Sequence, residues 1–165
     1  MHPHHPTDTP SLLSASADAA MVAREELSVS ELLESYIDRV QQRDDAVRAW
    51  AHLDLDAARK AAALADEATS HGPLHGVIVG VKDMIDTADM PTEYGSPIYK
   101  GHRPKKDAAC VQRLREAGAI VLGKTVTTEF AAYHAGKTRN PLNPDHTPGG
   151  SSSGSAAAVA DFQVG

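Results

Sequence analysis

The amino-acid sequence predicts an α/β fold on three observations. Gly76-Val77-Ile78-Val79-Gly80-Val81 and Ala119-Ile120-Val121-Leu122 are short apolar runs without alternation, the pattern of strands covered on both faces. Between them, Val111, Leu114 and Ala117 recur at helical spacing. Strand, helix, strand in that order is the crossover unit of a parallel pair, right-handed by the general rule for such connections.

The elements follow in order. Residues 1–13 read as a disordered leader, with residues 14–165 as the folded domain. His2, His4 and His5 are interleaved with Pro3 and Pro6, and no further ligand follows at helical spacing, so this is a floppy arm and no metal site is expected. Ser28-Val29-Ser30-Glu31 fits a capping box. Val29, Leu32, Leu33, Tyr36, Ile37 and Val40 then share one face of an amphipathic helix reaching about Arg43. A second helix, alanine-rich, is expected from about Asp54 to Ser70, with Leu55, Ala58, Ala62 and Ala65 as its packing stripe and His71-Gly72 as its end. The first strand runs directly into Lys82-Asp83. A loop from Ala88 to Lys106 is marked by Pro91, Gly95, Pro97, Gly101 and Pro104. Asp107 is placed to cap the next helix, and Gly118 to end it. The second strand closes on Gly123-Lys124-Thr125. A polar stretch from Gly136 to Pro148 leads to the turn Gly149-Gly150-Ser151-Ser152-Ser153-Gly154-Ser155, and Ala156 to Phe162 forms the helix behind it.

Composition narrows the function classes. With 41% hydrophobic, 23% charged and 4% aromatic residues, the chain is globular in type. A formal net charge of -6 favours neither nucleic acid nor an anionic membrane surface. Lys105, Lys106, Arg113 and Arg115 read as solvated helix-end charges. The one cysteine, Cys110, excludes an internal disulfide and a multi-cysteine metal site, and its apolar neighbours mark it as a small buried hydrophobe. No apolar run approaches the about 20 residues needed to span a bilayer, and no signal segment opens the chain, so a cytoplasmic protein is expected. Gly118 to Thr125 matches the phosphate-loop pattern letter for letter, but a helix precedes Gly118 and Ala-Ile-Val-Leu belongs in a sheet, which argues against nucleotide binding. Lys124 is then a strand-end charge.

Two features carry chemistry. The serine-glycine turn gives little to a core. Pro148 fixes its entry and an alanine-rich helix follows at once, which distinguishes it from a flexible linker. Its glycines let backbone approach a ligand closely. A serine hydroxyl is a poor nucleophile at neutral pH and needs a base. Lys82, leaving a buried strand, stands where desolvation favours the neutral amine that can accept a proton.

Here the sequence resembles the amidase signature family. The matching stretches are Gly76 to Asp83, Asp107 to Phe130, Thr138-Arg139-Asn140-Pro141, and Thr147 to Ala160. The resemblance implies the N-terminal part of the amidase signature fold, a mixed β-sheet covered by α-helices, incomplete in this chain. It implies a Ser–cisSer–Lys triad that hydrolyses carboxamide C–N bonds without a cofactor. By the same resemblance Lys82 is the base and Ser151, preceded by Gly150, the bridging cis-serine. Ser152 and Ser153 are supporting hydroxyls, and Asp83 and Ser155 supporting groups. The family nucleophile lies in a second Gly-Gly-Ser motif a couple of dozen residues after the cis-serine, and the 165 residues stop before such a motif. The chain alone is therefore expected to be inactive and to leave strand edges and apolar surface uncovered.

The expected ligand is a small amide of unspecified acyl group; the residues that shape its pocket are expected largely beyond Gly165, with the segments Met90 to Tyr99 and Ala131 to His134 as candidate contributors. The expected associations are a homo-oligomer or a complementing amidase chain, with no nucleic acid and no membrane. Two alternatives stay open: a non-catalytic amidase remnant acting by association with another chain, and the amidase subunit of a tRNA-dependent amidotransferase. Gly136-Lys137-Thr138-Arg139-Asn140 looks more like the stand-alone small-amide amidases.

Overall fold

The computed structural model describes residues 10–69 and 72–165; the expected leader up to Thr9, and Ser70 and His71, lie outside the described residues. Among the described residues, the elements run α1 (Ala15–Ala23), α2 (Val29–Val47), β1 (Trp50–Leu53), α3 (Leu55–Asp66), β2 (Ile78–Lys82), α4 (Ala109–Glu116), β3 (Ile120–Thr125) and α5 (Ser153–Ala160). Short 3-10 turns lie at Pro10–Leu12, Pro97–Tyr99 and Glu129–Ala131. The strands form one mixed sheet in the order β1-β3-β2, with β3 antiparallel to β1 and parallel to β2. The fold is α/β, as the apolar runs predict.

The register fixes which side chains share a face. Lys82 pairs with Thr125, Val81 with Lys124 and Val79 with Val121, with an irregularity after Val79. One face carries Ile78, Ile120 and Leu122 into the main core with α2, α3 and α5. The other carries Val81 and Val121 into a smaller cluster with Met90 and with Val111 of α4. The sheet is thus covered on both sides, and the irregularity, which leaves Leu122 as an extra residue in β3, reverses the alternation there, so that Lys124 joins the face of Val81 while Lys82 and Thr125 share the opposite one.

Helix α2 is held as its sequence requires. Ser28 Oγ accepts from Glu31 N–H (3.1 Å) and the Glu31 carboxylate accepts from Ser28 N–H (2.9 Å), completing the capping box. Asp66 at the end of α3 accepts from Val29 N–H at 2.7 Å and Ser30 N–H at 3.1 Å, so a carboxylate also meets the positive end of the helix. Its face of Val29, Leu32, Leu33, Tyr36, Ile37, Val40 and Val47 is buried, each aliphatic contributing about 1.5–3 kcal/mol. The helix runs one turn past Arg43.

Other expectations need correction. Helix α3 stops at Asp66 with Glu67 as its cap, ahead of the expected Ser70. Helix α5 opens at Ser153 instead of Ala156, so Ser153, Gly154 and Ser155 are helical. Asp107 does not cap α4, whose N-cap is Ala108 without a side-chain bond. Instead Asp107 Oδ1 accepts from Ala88 N–H at 2.7 Å and Oδ2 faces Arg115 Nε at 3.2 Å, pinning the preceding loop to the helix. Arg115 also pairs with Asp89 at 2.7 Å. Cys110 is exposed, because the inward stripe of α4 centres on Val111 and its neighbour points about 100° away. The end of α4 is as expected: Gly118 N–H donates to Arg115 O (2.9 Å) and Ala119 N–H to Leu114 O (3.0 Å), a Schellman closure. Helix α1 and strand β1 have no counterpart among the expected elements, and Pro10–Leu12, within the expected leader, forms a turn with Ser11 buried.

Candidate active site

Two chain segments that are far apart in sequence meet at the end of β2. The Lys82 side chain leaves the last residue of that strand, and the serine-glycine turn arrives from the other side ahead of α5. Lys82 Nζ donates to Ser151 Oγ at 2.6 Å, with both residues half-buried. The Gly150–Ser151 peptide is cis. Ser151 is held from behind by its carbonyl, which accepts from Thr128 N–H at 3.0 Å.

Two glycines allow this approach. A Cβ on Gly150 would stand 2.6 Å from Thr128 Cγ2. A Cβ on Gly154 would meet Ala49 O at 2.2 Å and Val126 N at 2.3 Å, so any side chain there would push α5 off the strand ends. With glycine present, Gly154 N–H donates to Val126 O at 2.9 Å and the helix docks.

The other expected site residues divide. Ser155 Oγ lies 2.7 Å from Thr125 Oγ1, on the residue that pairs in register with Lys82. Ser153 is buried and its hydroxyl donates to Val126 O at 3.4 Å, a bond that anchors the helix start. Ser152 is the N-cap of α5, exposed and without a side-chain cap bond. Asp83 follows Lys82 but turns to the opposite face. Its carboxylate accepts from Glu93 N–H at 3.0 Å and Gly95 N–H at 3.3 Å, and burial raises its affinity for a proton.

Lys124 departs most from expectation. It is 0% exposed, so it is no solvated strand-end charge. Its Nζ donates to Ile85 O (2.8 Å), Pro91 O (3.3 Å) and Thr92 Oγ1 (2.5 Å), and lies 3.7 Å from Asp83 Oδ1. Burial pulls its pKa below the ordinary lysine range, and the charge of Asp83 pulls against that. A lysine inside an apolar run with both faces covered is the sequence signal for that burial. The segment Gly118–Thr125 is a helix end and a strand, with no helix opening at Lys124, so the letter match to a phosphate loop has no structural counterpart.

Ser151 opens on a cleft of about 480 Å³ lined also by Thr128, Ala131, Ala132, Tyr133, Ala135, Thr147, Gly149 and Gly150. No charged side chain is among them. Ala131, Ala132 and Tyr133 of the segment Ala131 to His134 line it, whereas no residue from Met90 to Tyr99 does, and Met90 is buried in the small core cluster. Among the described residues, no group of three or more His, Cys, Asp and Glu side chains could hold a metal ion. No helix among them is long and apolar enough to cross a membrane.

Fold and site together define an α/β domain whose adjacent parallel strand ends present a lysine to a serine at the wall of an uncharged cleft. The amidase family model matches residues 31–164, and the chain belongs to that family, the amidase signature hydrolases. Among curated relatives, it is 45% identical to a glutamyl-tRNA(Gln) amidotransferase subunit of Salinispora arenicola, over 92% of this chain and 33% of that protein. The corresponding subunit of Acidothermus cellulolyticus is 43% identical over 88% and 31%. Among solved structures, the peptide amidase of Stenotrophomonas maltophilia superposes with a TM-score of 0.82 at 38% identity, covering 98% of this chain and 35% of that one. A chain of a vestigial protein complex bearing on the origins of an s-triazine catabolic enzyme gives 0.86 at 31% identity, covering 92% and 36%. The chain thus spans about a third of the length of the relatives it matches.

Proposed function

We propose that these residues supply the proton-transfer half of an amidase that cleaves carboxamide C–N bonds. The observation that carries the reading is the 2.6 Å contact between Lys82 Nζ and Ser151 Oγ at the cleft wall. In the proposed relay, neutral Lys82 accepts the Ser151 hydroxyl proton as Ser151 accepts the proton of an attacking serine. That serine adds to the amide carbon. The relay then runs back, returning its proton to Ser151 and delivering one proton to the departing nitrogen, which leaves as ammonia or an amine, and water hydrolyses the resulting ester. By family resemblance the attacking serine belongs to a segment outside these 165 residues. Ser155 and Thr125 support the lysine side of the pair, and Gly150 the close approach of the turn.

A chimera tests this, with residues 14–165 replacing the matching third of the Stenotrophomonas peptide amidase. It should hydrolyse a peptide amide, and Lys82→Ala or Ser151→Ala should each lower kcat by roughly 10²–10⁴-fold with the fold retained. Near-normal turnover in either folded variant would refute the assignment. The 165-residue chain by itself should show no turnover.

The curated relatives favour a second reading, the amidase component of a tRNA-dependent amidotransferase working with partner chains. The same chimera on the Salinispora amidotransferase protein separates the two. Rescue of its amidotransferase assembly, together with failure on the peptide amidase, would select this reading.

A further inference from the structure

We propose that Lys124 is a positioning residue that sets the Lys82–Ser151 hydrogen bond from the opposite face of the sheet. The Lys124 ammonium, shielded from solvent, spans Ile85 O, Pro91 O and Thr92 Oγ1 and faces the Asp83 carboxylate. Those partners all lie in the chain that leaves β2 immediately after Lys82. The ammonium therefore gathers that exit into one conformation.

From there two strings of contacts run to the two ends of the Lys82–Ser151 bond. The first is short. Asp83 is the covalent neighbour of Lys82, and its N–H donates to Thr125 O at 2.9 Å, so fixing Asp83 fixes where the Lys82 side chain starts. The second passes through the loop. Asp83 accepts from Glu93 N–H and Gly95 N–H, and Gly95 packs so tightly on the next segment that a Cβ would lie 2.9 Å from Thr127 O and 3.2 Å from Thr128 O. Phe130 N–H donates to Tyr94 O at 2.9 Å, and Ser96 Oγ to Glu129 Oε1 at 2.7 Å, tying the same two segments again. Thr128 N–H then holds Ser151 O at 3.0 Å. A buried cation on one face is thus connected to both the donor and the acceptor on the other. A hydrogen bond this short tolerates little displacement of either end, since strength falls steeply with distance and angle.

The proposal rests on the amidase reading only for its catalytic consequence, so the test reads the hydrogen bond and not turnover. Thr92→Val removes one acceptor from Lys124 and leaves the charge pair, whereas Lys124→Met removes the cation. Val111→Ala trims the same small core cluster without touching the clamp. In the 165-residue chain, the Lys82 ¹³Cε and ¹⁵Nζ resonances should move in Thr92→Val and move further in Lys124→Met. Exchange of the Thr128 amide should quicken roughly tenfold or more, while amides of α2 keep their protection. Val111→Ala should leave the Lys82 resonances in place. Unchanged Lys82 resonances and Thr128 exchange in folded Thr92→Val would overturn the proposal, whether or not Lys124→Met folds. Equal movement in Val111→Ala would also overturn it, by reducing the effect to general loosening. A chimera that kept full turnover after Lys82→Ala would refute the amidase reading and leave this result intact.

Discussion

Lys82 and Lys124 end adjacent parallel strands one register step apart, yet the protein treats them in opposite ways. Lys82 is half-buried and donates to a single serine hydroxyl, which itself lines the cleft. Lys124 is sealed off, bonded to two carbonyls and a hydroxyl, and set against a carboxylate. The difference comes from their faces: the extra residue at Leu122 turns Lys124 away from the face that Lys82 shares with Thr125. One face is closed by α5, and the turn before it brings Ser151 Oγ to Lys82 Nζ. The other is closed by the loop after β2, which wraps the Lys124 ammonium. An ammonium held by four partners has no room to exchange protons with a ligand, whereas Lys82 Nζ meets one hydroxyl. Sheet geometry thus separates a sealed cation from a lysine that reaches a serine hydroxyl.

The comparison breaks most readily at Lys124. Lys124→Met leaves Asp83, 3% exposed, without its counter-charge and frees three acceptors, so it should cost about 3–5 kcal/mol. Lys82→Met removes one half-exposed hydrogen bond and should cost about 1 kcal/mol or less. Urea denaturation of the two variants measures both, and equal losses would show that the lysines are alike. Alkaline titration sharpens the point. Burial depresses the Lys124 pKa in the folded state, so between that value and the ordinary lysine value of about 10.4 the unfolded chain binds more protons than the folded one. The contribution of Lys124 to stability therefore rises with pH across that window. A wild-type minus Lys124→Met difference that fell with pH there would contradict the assignment.

A smaller effect tests how Ser151 is delivered to Lys82. Gly154→Ala forces a methyl against the backbone of Ala49 and Val126, neither of which is a flexible side chain. The expected cost is about 1–3 kcal/mol, by the rule for overpacked cores. The Lys82 resonances should shift as α5 lifts, and the Lys124 resonances, at the far end of the contacts through Thr128 and Asp83, should shift less. Equal movement of both would mean that Gly154→Ala loosens the whole sheet and does not act first on the Ser151 turn.

How much of this was legible in the sequence follows from which contacts are local. The capping box at Ser28, the stripe of α2 and the two apolar strands are set by neighbours within a few residues, and all are present. Strand β1 is four residues long and owes its existence to pairing with β3, which lies some seventy residues downstream, so Trp50–Leu53 carries no periodic signal. At the site, Lys82 and Ser151 could be paired only through the family resemblance, since nothing local joins residues 69 apart. The Lys124 environment was hidden for a related reason. Its partners Ile85, Pro91 and Thr92 use two backbone carbonyls and one hydroxyl, and backbone carbonyls are the same in every sequence. Asp83 was the one chemical clue, and it sat beside the wrong lysine.

The smallest predicted effect concerns the hydroxyl pair beneath Lys82. Ser155 Oγ and Thr125 Oγ1 are 2.7 Å apart and part-buried, on the two elements that bring Ser151 and Lys82 together. Ser155→Ala or Thr125→Val alone leaves one hydroxyl without its partner, and each should cost about 1 kcal/mol. The double variant removes both ends of the bond and should cost less than the sum, because no polar group is left wanting. A coupling of about 0.5 kcal/mol or more in that cycle would show that the pair is a bond and not two separately solvated groups. The same variants should shift the Lys82 resonances slightly and those of Lys124 less, since Thr125 and Lys82 share a face and a register position. If the cycle is additive and Lys82 does not respond, Ser155 merely begins a helix, and the support of Lys82 rests on Ser151 alone.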